Sequence, residues 1–290
     1  MRPCDRRLRG RLGSMQRAFS QVDVFCSVPL SGNPVAVVLD GNGLSTDEMQ
    51  RFANWTNLSE TTFLVEPDAE GADYWVRIFT PTMELPFAGH PTLGTCHAWL
   101  EAGNGPRRGD RIVQQCGAGL VTIRRDGDLL GFAAPPLIRS GPLDEELTVD
   151  LARQLGIQRD AIVDAQWADN GPGWVAVLLG SADEVLAIKQ DKLKRDVGII
   201  GPYPPGSECA FEVRAFFPGD GMIFEDPVTG SLNASAAQWM LSSGRATAPY
   251  VVSQGTALGR RGRVHIDTDG DGAVWVSGAT TTTITGTVEL

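Results

Sequence analysis

The chain has 290 residues, 42% apolar and 21% charged, with a formal net charge of −10. Those proportions belong to an ordinary globular protein, and the length suffices for two domains with a core in each. The acidity excludes a nucleic-acid surface, which needs a basic stripe, and no apolar run approaches the length of a membrane span.

Residues 1–14 set Arg2, Arg6, Arg7, Arg9 and Arg11 among Gly and Ser. They predict a disordered extension, or translated sequence ahead of a start at Met15, and they lack the apolar core of a secretory signal. From Phe19 to Phe25 the residues alternate as in a first strand, and Gly32-Asn33-Pro34 makes a turn into a buried strand over Val35–Leu39. Ser45-Thr46-Asp47-Glu48 opens a helix that runs on through Met49 to Trp55, and Asn57 to Glu60 leads into a strand ending at Val65. Tyr74–Phe79 is a strand and Pro91–Leu100 a long helix. Strands follow over Ile112-Val113 and Leu120–Ile123, with a hairpin turn at Arg124–Asp128. Phe132-Ala133-Ala134-Pro135-Pro136 reads as a stiff connector into the second half. That half offers a helix over Leu147–Leu155, an apolar strand over Trp174–Leu179 and an amphipathic segment over Ala182–Lys189. A strand over Arg214–Phe217, a helix from Gly230 to Leu241, and strands over Val274–Ser277 and Thr280–Val288 complete it.

The two halves echo each other. Val76-Arg77-Ile78-Phe79-Thr80-Pro81 returns as Val213-Arg214-Ala215-Phe216-Phe217-Pro218, and Val213 follows Val76 by 137 residues. Asp226-Pro227 follows His90-Pro91 by 136, and Gln254-Gly255 follows the Gln115 segment by 139. Each half thus presents a polar residue before Pro, at a Gly-containing turn that opens a helix.

Five cysteines without C-x-x-C spacing point to reduced thiols and away from a disulfide framework or zinc site. Three histidines, His90, His97 and His265, are too few for a His-rich metal centre, so no metal is expected.

Several segments together resemble the phenazine-biosynthesis isomerase (PhzF-like) family of the diaminopimelate-epimerase-like fold. They are Val22-Asp23-Val24-Phe25, Gly32-Asn33-Pro34, Asn57-Leu58-Ser59-Glu60-Thr61-Thr62-Phe63 and Arg77–Pro81. Glu84–Pro91, Glu225–Ser231 and Ser253-Gln254-Gly255 complete the set, in the family's order from residue 19 onward. The resemblance implies an α+β fold of two pseudo-symmetric domains, each a curled mixed β-sheet around a central helix. The halves fall at residues 15–130 and 131–290, with the last strand near 280–290 returning to the first. It further implies a cofactor-independent, cytoplasmic, homodimeric isomerase that moves a proton within a small cyclic carboxylate. Glu60 would be the acid/base, assisted by His90 and Asp226, and Ser59, Gly89, Gly230 and Ser231 would hold the substrate.

Residue chemistry fits these roles without compelling them. A carboxyl that takes a proton in one step and returns it in another needs a pKa near the working pH, which partial burial beside Leu58 and Phe63 would provide. The same Glu60 also reads as a surface residue at a strand end. His90 and Asp226 also read as helix caps, whereas two facing helix N-termini would supply N–H groups for a substrate carboxylate. Arg77 and Arg214 read as structural ion-pair residues. A thiol-pair racemase is disfavoured because neither helix-opening turn contains Cys, and a non-catalytic binding protein would be expected to have lost Glu60, His90 or Asp226.

Overall fold

The computed structural model describes residues 15–107, 111–190, 192–219 and 221–290; the arginine-rich stretch over 1–14 lies outside the described residues. β1 (Gln16–Val24) pairs antiparallel with β2 (Asn33–Val38). Ser45 caps α1 (Thr46–Thr56) through a reciprocal capping box with Glu48. α1 lays Met49, Phe52 and Ala53 against Phe63 and Phe79 on the outer face of the sheet. β3 (Glu60–Val65) runs parallel to β2 with Val35 opposite Glu60, and β4 (Tyr74–Phe79) runs antiparallel to β3. After β5 (Glu84–Leu85) comes α2 (Gly89–Glu101), whose first eight residues are all buried. β6 (Arg111–Cys116) lies parallel to β4, and β7 (Gly119–Asp126) and β8 (Leu129–Ala133) extend the sheet antiparallel.

The second half runs β9 (Arg139–Pro142), α3 (Glu145–Leu155), β10 (Asp164–Asp169), β11 (Val175–Leu178), α4 (Ala182–Ala187) and β12 (Val197–Pro202). It continues with β13 (Phe211–Gly219), β14 (Met222–Asp226), α5 (Gly230–Ser242), β15 (Tyr250–Gln254), β16 (Gly262–Thr268) and β17 (Val274–Glu289). Neighbouring strands β10-β11-β12-β13-β15-β16-β17 alternate antiparallel, parallel, antiparallel, parallel, antiparallel, antiparallel. The run β1-β2-β3-β4-β6-β7-β8 has the same alternation. Sequence repetition thus becomes repetition of strand pairing.

β17 joins both runs of strands within one continuous sheet. Val274–Ala279 pairs with β16 and β8, and Thr280–Glu289 pairs with β1. Strands β1, β2, β3, β4, β6, β7, β8 and β17 therefore close into a ring around α2, which leaves no edge along that sheet. One apolar cluster runs through both central helices, from Leu93, Cys96 and Trp99 of α2 to Leu232, Ala236 and Trp239 of α5. Both helices are buried over most of their length, as befits helices enclosed by sheet. No helix among the described residues is long and apolar enough to cross a membrane.

Four expectations differ. The two closing strands are one, because Gly278 continues the strand where Phe25 packs against it and a Cβ would sit 2.3 Å from the Phe25 ring. The connector over 132–136 begins inside β8, where Phe132 pairs with Val276. β7 continues to Asp126, so the turn is Gly127-Asp128 alone. Gln115 is not the counterpart of Gln254. Trp75 stands beside Gln115 as Glu212 stands beside Ser253, so Gln115 faces outward and donates to Asp68.

Candidate active site

α1, α3 and α4 are each capped by a side chain, from Ser45, Asp144 and Ser181. α2 and α5 are not: their N-caps, Ala88 and Thr229, contribute no side-chain hydrogen bond. Their first turns abut, since a Cβ on Gly89 would lie 2.9 Å from the Gly230 Cα, and one on Gly230 would lie 2.9 Å from the Gly89 Cα. Glycine at both positions permits that approach. Two buried helix ends with free N–H groups and aligned dipoles therefore face one small volume, an arrangement that favours an anion.

His90, the second residue of α2, is buried, and its Nε2 lies 3.3 Å from Glu60 Oε2. Both atoms are fully buried and neither completes a hydrogen bond. Burial pushes the His90 pKa down to about 3, against the pull of the Pro34 carbonyl, so its imidazole is neutral at physiological pH. Burial pushes Glu60 well above the usual carboxylate range, and the charge of Asp226 adds to the shift. The contact is therefore between a neutral imidazole and a carboxyl that favours its proton, and not an ion pair.

Asp226, at the end of β14, is raised to about 6 by burial, opposed by hydrogen bonds from Thr229, Asn33 and Ser59. The Thr229 hydroxyl donates to Oδ2 at 2.6 Å and Asn33 Nδ2 to Oδ1 at 2.9 Å. Two carboxyls thus share one site in unequal surroundings: Asp226 has three donors, Glu60 none. The first proton to leave comes from Asp226, and Glu60 keeps its own longer.

The structure brings Glu60, His90, Asp226, Ser59, Gly89 and Gly230 to one place, and Ser231 follows Gly230 on the same helix turn. It corrects two details. His90 is no cap, because the N-cap is Ala88 and Pro91 is the third helical residue, and Asp226 caps nothing because α5 begins four residues later. The helix starts are Gly89 and Gly230, 141 residues apart, so His90 matches Ser231 and not Asp226. The carboxyl of Glu60 has no twin. Ala176 pairs with Gly198 as Val35 pairs with Glu60, and the space at Gly198 is filled by Leu232, 2.3 Å from where a Cβ would stand.

Asn33 is the organiser that the residue pattern did not reveal as such. Fully buried, it donates to Asp226 and to the Val228 carbonyl at 2.9 Å each, and its Nδ2 lies 3.4 Å from His90 Nδ1. Gln254 holds the α5 turn from behind, accepting from Thr229 N–H and donating to the Asp226 carbonyl. Only the Gly-Asn-Pro turn and the Gln-Gly pair marked these two in the sequence.

Arg77 and Arg214 sit outside this cluster, each in a two-pronged pair with a carboxylate, Glu84 and Glu225 respectively. The described cysteines are buried away from both helix-opening turns, and burial holds the Cys96 thiol up at about 12. Among the described residues no group of three or more His, Cys, Asp or Glu is placed to hold a metal ion.

A family model described as "Phenazine biosynthesis-like protein" matches residues 22–286. Antisense-enhancing sequence 1 of Schizosaccharomyces pombe is 35% identical over 292 residues, covering 93% of this chain and 98% of that protein. The trans-2,3-dihydro-3-hydroxyanthranilate isomerase of Pseudomonas fluorescens is 35% identical over 246 residues, 82% of this chain and 86% of that one. Among solved structures, a PhzF-family phenazine biosynthesis protein from Bacillus anthracis matches with a TM-score of 0.78 at 22% identity, covering 95% of this chain and 100% of that one.

Proposed function

The chain belongs to the phenazine biosynthesis-like family and is an isomerase, and from that premise we propose that it moves a proton between carbons of a small cyclic carboxylate, with Glu60 as the acid/base. The observation that carries this reading is the buried, unpartnered pair Glu60 Oε2 and His90 Nε2 beside two uncapped helix starts. The substrate carboxylate binds at the free N–H groups, which orients the ring toward Glu60. Glu60 acts from its ionised form, the minor one in this site, and takes a proton from one carbon; the burial that disfavours the anion also makes it the stronger base for that step. The resulting acid returns the proton to a second carbon. Composition and oxidation level are unchanged, so the step needs no co-reactant. Neutral His90 orients the Glu60 carboxyl through Nε2, and Asp226, held by Asn33, Thr229 and Ser59, penalises a second negative charge and so favours the protonated intermediate. Ser59, Gly89, Gly230 and Ser231 line the bound carboxylate. A cytoplasmic homodimer is the assembly expected with this reading, and light scattering of the purified protein measures it.

The test is proton NMR of turnover in deuterated water with trans-2,3-dihydro-3-hydroxyanthranilate, the substrate named for the Pseudomonas relative. Solvent deuterium should enter at a ring carbon with the wild type and not with Glu60→Gln. Full turnover by Glu60→Gln would overturn the mechanism. Failure of the wild type on this and related cyclic carboxylates would overturn the substrate class.

A further inference from the structure

The 141-residue repeat has a second consequence. As Gly230 and Ser231 follow Gly89 and His90 by 141 residues, so Trp174 follows Asn33 by 141, and each stands where one of two matching strands begins, Asn33 at the head of β2 and Trp174 just before β11. Asn33 sets its Nδ2 3.4 Å from the His90 ring, and Trp174 donates its indole N–H to Ser231 Oγ at 3.0 Å. Trp174 is 3% exposed and rigidly held. Asp169 gathers the loop before it by accepting from the Gly171 and Gly173 N–H groups at 2.8 Å each, and Asn170 Nδ2 donates to the Ser231 carbonyl at 2.9 Å. One short loop therefore grips Ser231 by both backbone and side chain.

An indole N–H can only donate, so Ser231 Oγ must accept there. The hydroxyl keeps one proton to give, and among the described residues no acceptor is placed for it. That proton sits on the first turn of α5, beside N–H groups that also lack partners. We propose that Trp174 is a positioning residue that fixes the Ser231 hydroxyl as a donor to the substrate's carboxylate, and so sets the preference for an anionic over a neutral substrate. The inference rests on the carboxylate-binding reading above, but not on Glu60 as the acid/base.

The probes are 3-hydroxyanthranilate, the aromatic counterpart of the relative's substrate, and its carboxamide, with affinities measured by calorimetry. The wild type should prefer the carboxylate. Trp174→Phe, which keeps a ring but loses the N–H, should weaken carboxylate binding by roughly tenfold, the worth of about one hydrogen bond to an ion, and leave the carboxamide within about twofold. In a Ser231→Ala background the same change should have no further effect, because its partner is gone. Equal weakening of both probes, or an additive effect in the double variant, would make Trp174 merely structural and overturn the inference. Absence of any carboxylate preference in the wild type would overturn it too. Loss of deuterium exchange in Glu60→Gln alongside either result would leave the proton-shift reading standing.

Discussion

Glu60 Oε2 and His90 Nε2 face each other at 3.3 Å with no hydrogen bond completed by either atom. Unpaired polar atoms in a protein interior are rare and costly, and two adjacent ones mark a place completed by something other than the protein. Replacing Glu60 by Gln keeps shape and polarity but removes the ability to carry a proton. Turnover should fall by about 10²–10⁴-fold with the fold intact by circular dichroism.

His90 makes stability pH-dependent in a known direction. Its pKa is depressed from 6.5 to about 3 in the folded chain, so the unfolded chain takes up the proton first as pH falls. The stabilisation from a neutral His90 is complete above pH 6.5 and is lost as pH falls toward 3. Urea unfolding of the wild type and His90→Gln at pH 7.5 and pH 5 should show the variant's stability relative to wild type improving by about 2 kcal/mol at the lower pH. A difference independent of pH would contradict a buried neutral imidazole.

Asp226 has the opposite sign. Its pKa rises from 3.8 to about 6, so its contribution is fully present below 3.8 and is lost as pH rises through 6. Asp226→Asn should therefore gain stability relative to wild type on going from pH 4 to pH 7, read by the same urea titrations.

Gly89→Ala tests the contact between the helix starts. Alanine is the better helix former by about 1 kcal/mol, but here its Cβ would meet the Gly230 backbone at 2.9 Å and the Phe132 ring at 2.7 Å. The steric effect wins: a loss of about 1–3 kcal/mol is expected, together with weaker carboxylate binding. Gly105→Ala, in open space, should stay within about 0.5 kcal/mol of wild type in the same thermal melts.

The repeated ion pairs differ in burial and so should differ in worth. Arg214 and Glu225 side chains are 8% and 12% exposed, against 18% and 37% for Arg77 and Glu84. Arg214→Met leaves a buried carboxylate alone and should cost about 3–5 kcal/mol, whereas Arg77→Met should cost about 1 kcal/mol or less. Equal losses in denaturant titrations would refute the distinction.

The sequence was legible where local rules and tertiary demands agree. The V-R-x-F strands, the Ser45 helix start and the helices α2 and α5 could be read because side-chain alternation and capping are local. Glu60 could be named only through the family's motifs, and the internal repeat marked His90 and Asp226 without giving them roles, because the perturbed acidities of all three arise from neighbours far away in the chain. Asn33 and Trp174 escaped notice for the same reason. A Gly-Asn-Pro turn and the first residue of an apolar strand look ordinary until Asp226 and Ser231 are brought beside them. Gly278 misled because the close approach of Phe25 that requires it is invisible in one dimension.

The double membership of β17 also governs the order of assembly. Gln16 pairs with Glu289, so the ring around α2 is sealed by a segment that leaves the ribosome long after β1. Until then β1 and β8 each lack a neighbour, and the α2 barrel remains an open sheet with exposed edges during synthesis. Contacts of such long sequence separation make folding slow. Nascent chains stalled before Thr280 should therefore be far more open to protease around β1 than chains in which residues 280–289 have emerged and paired.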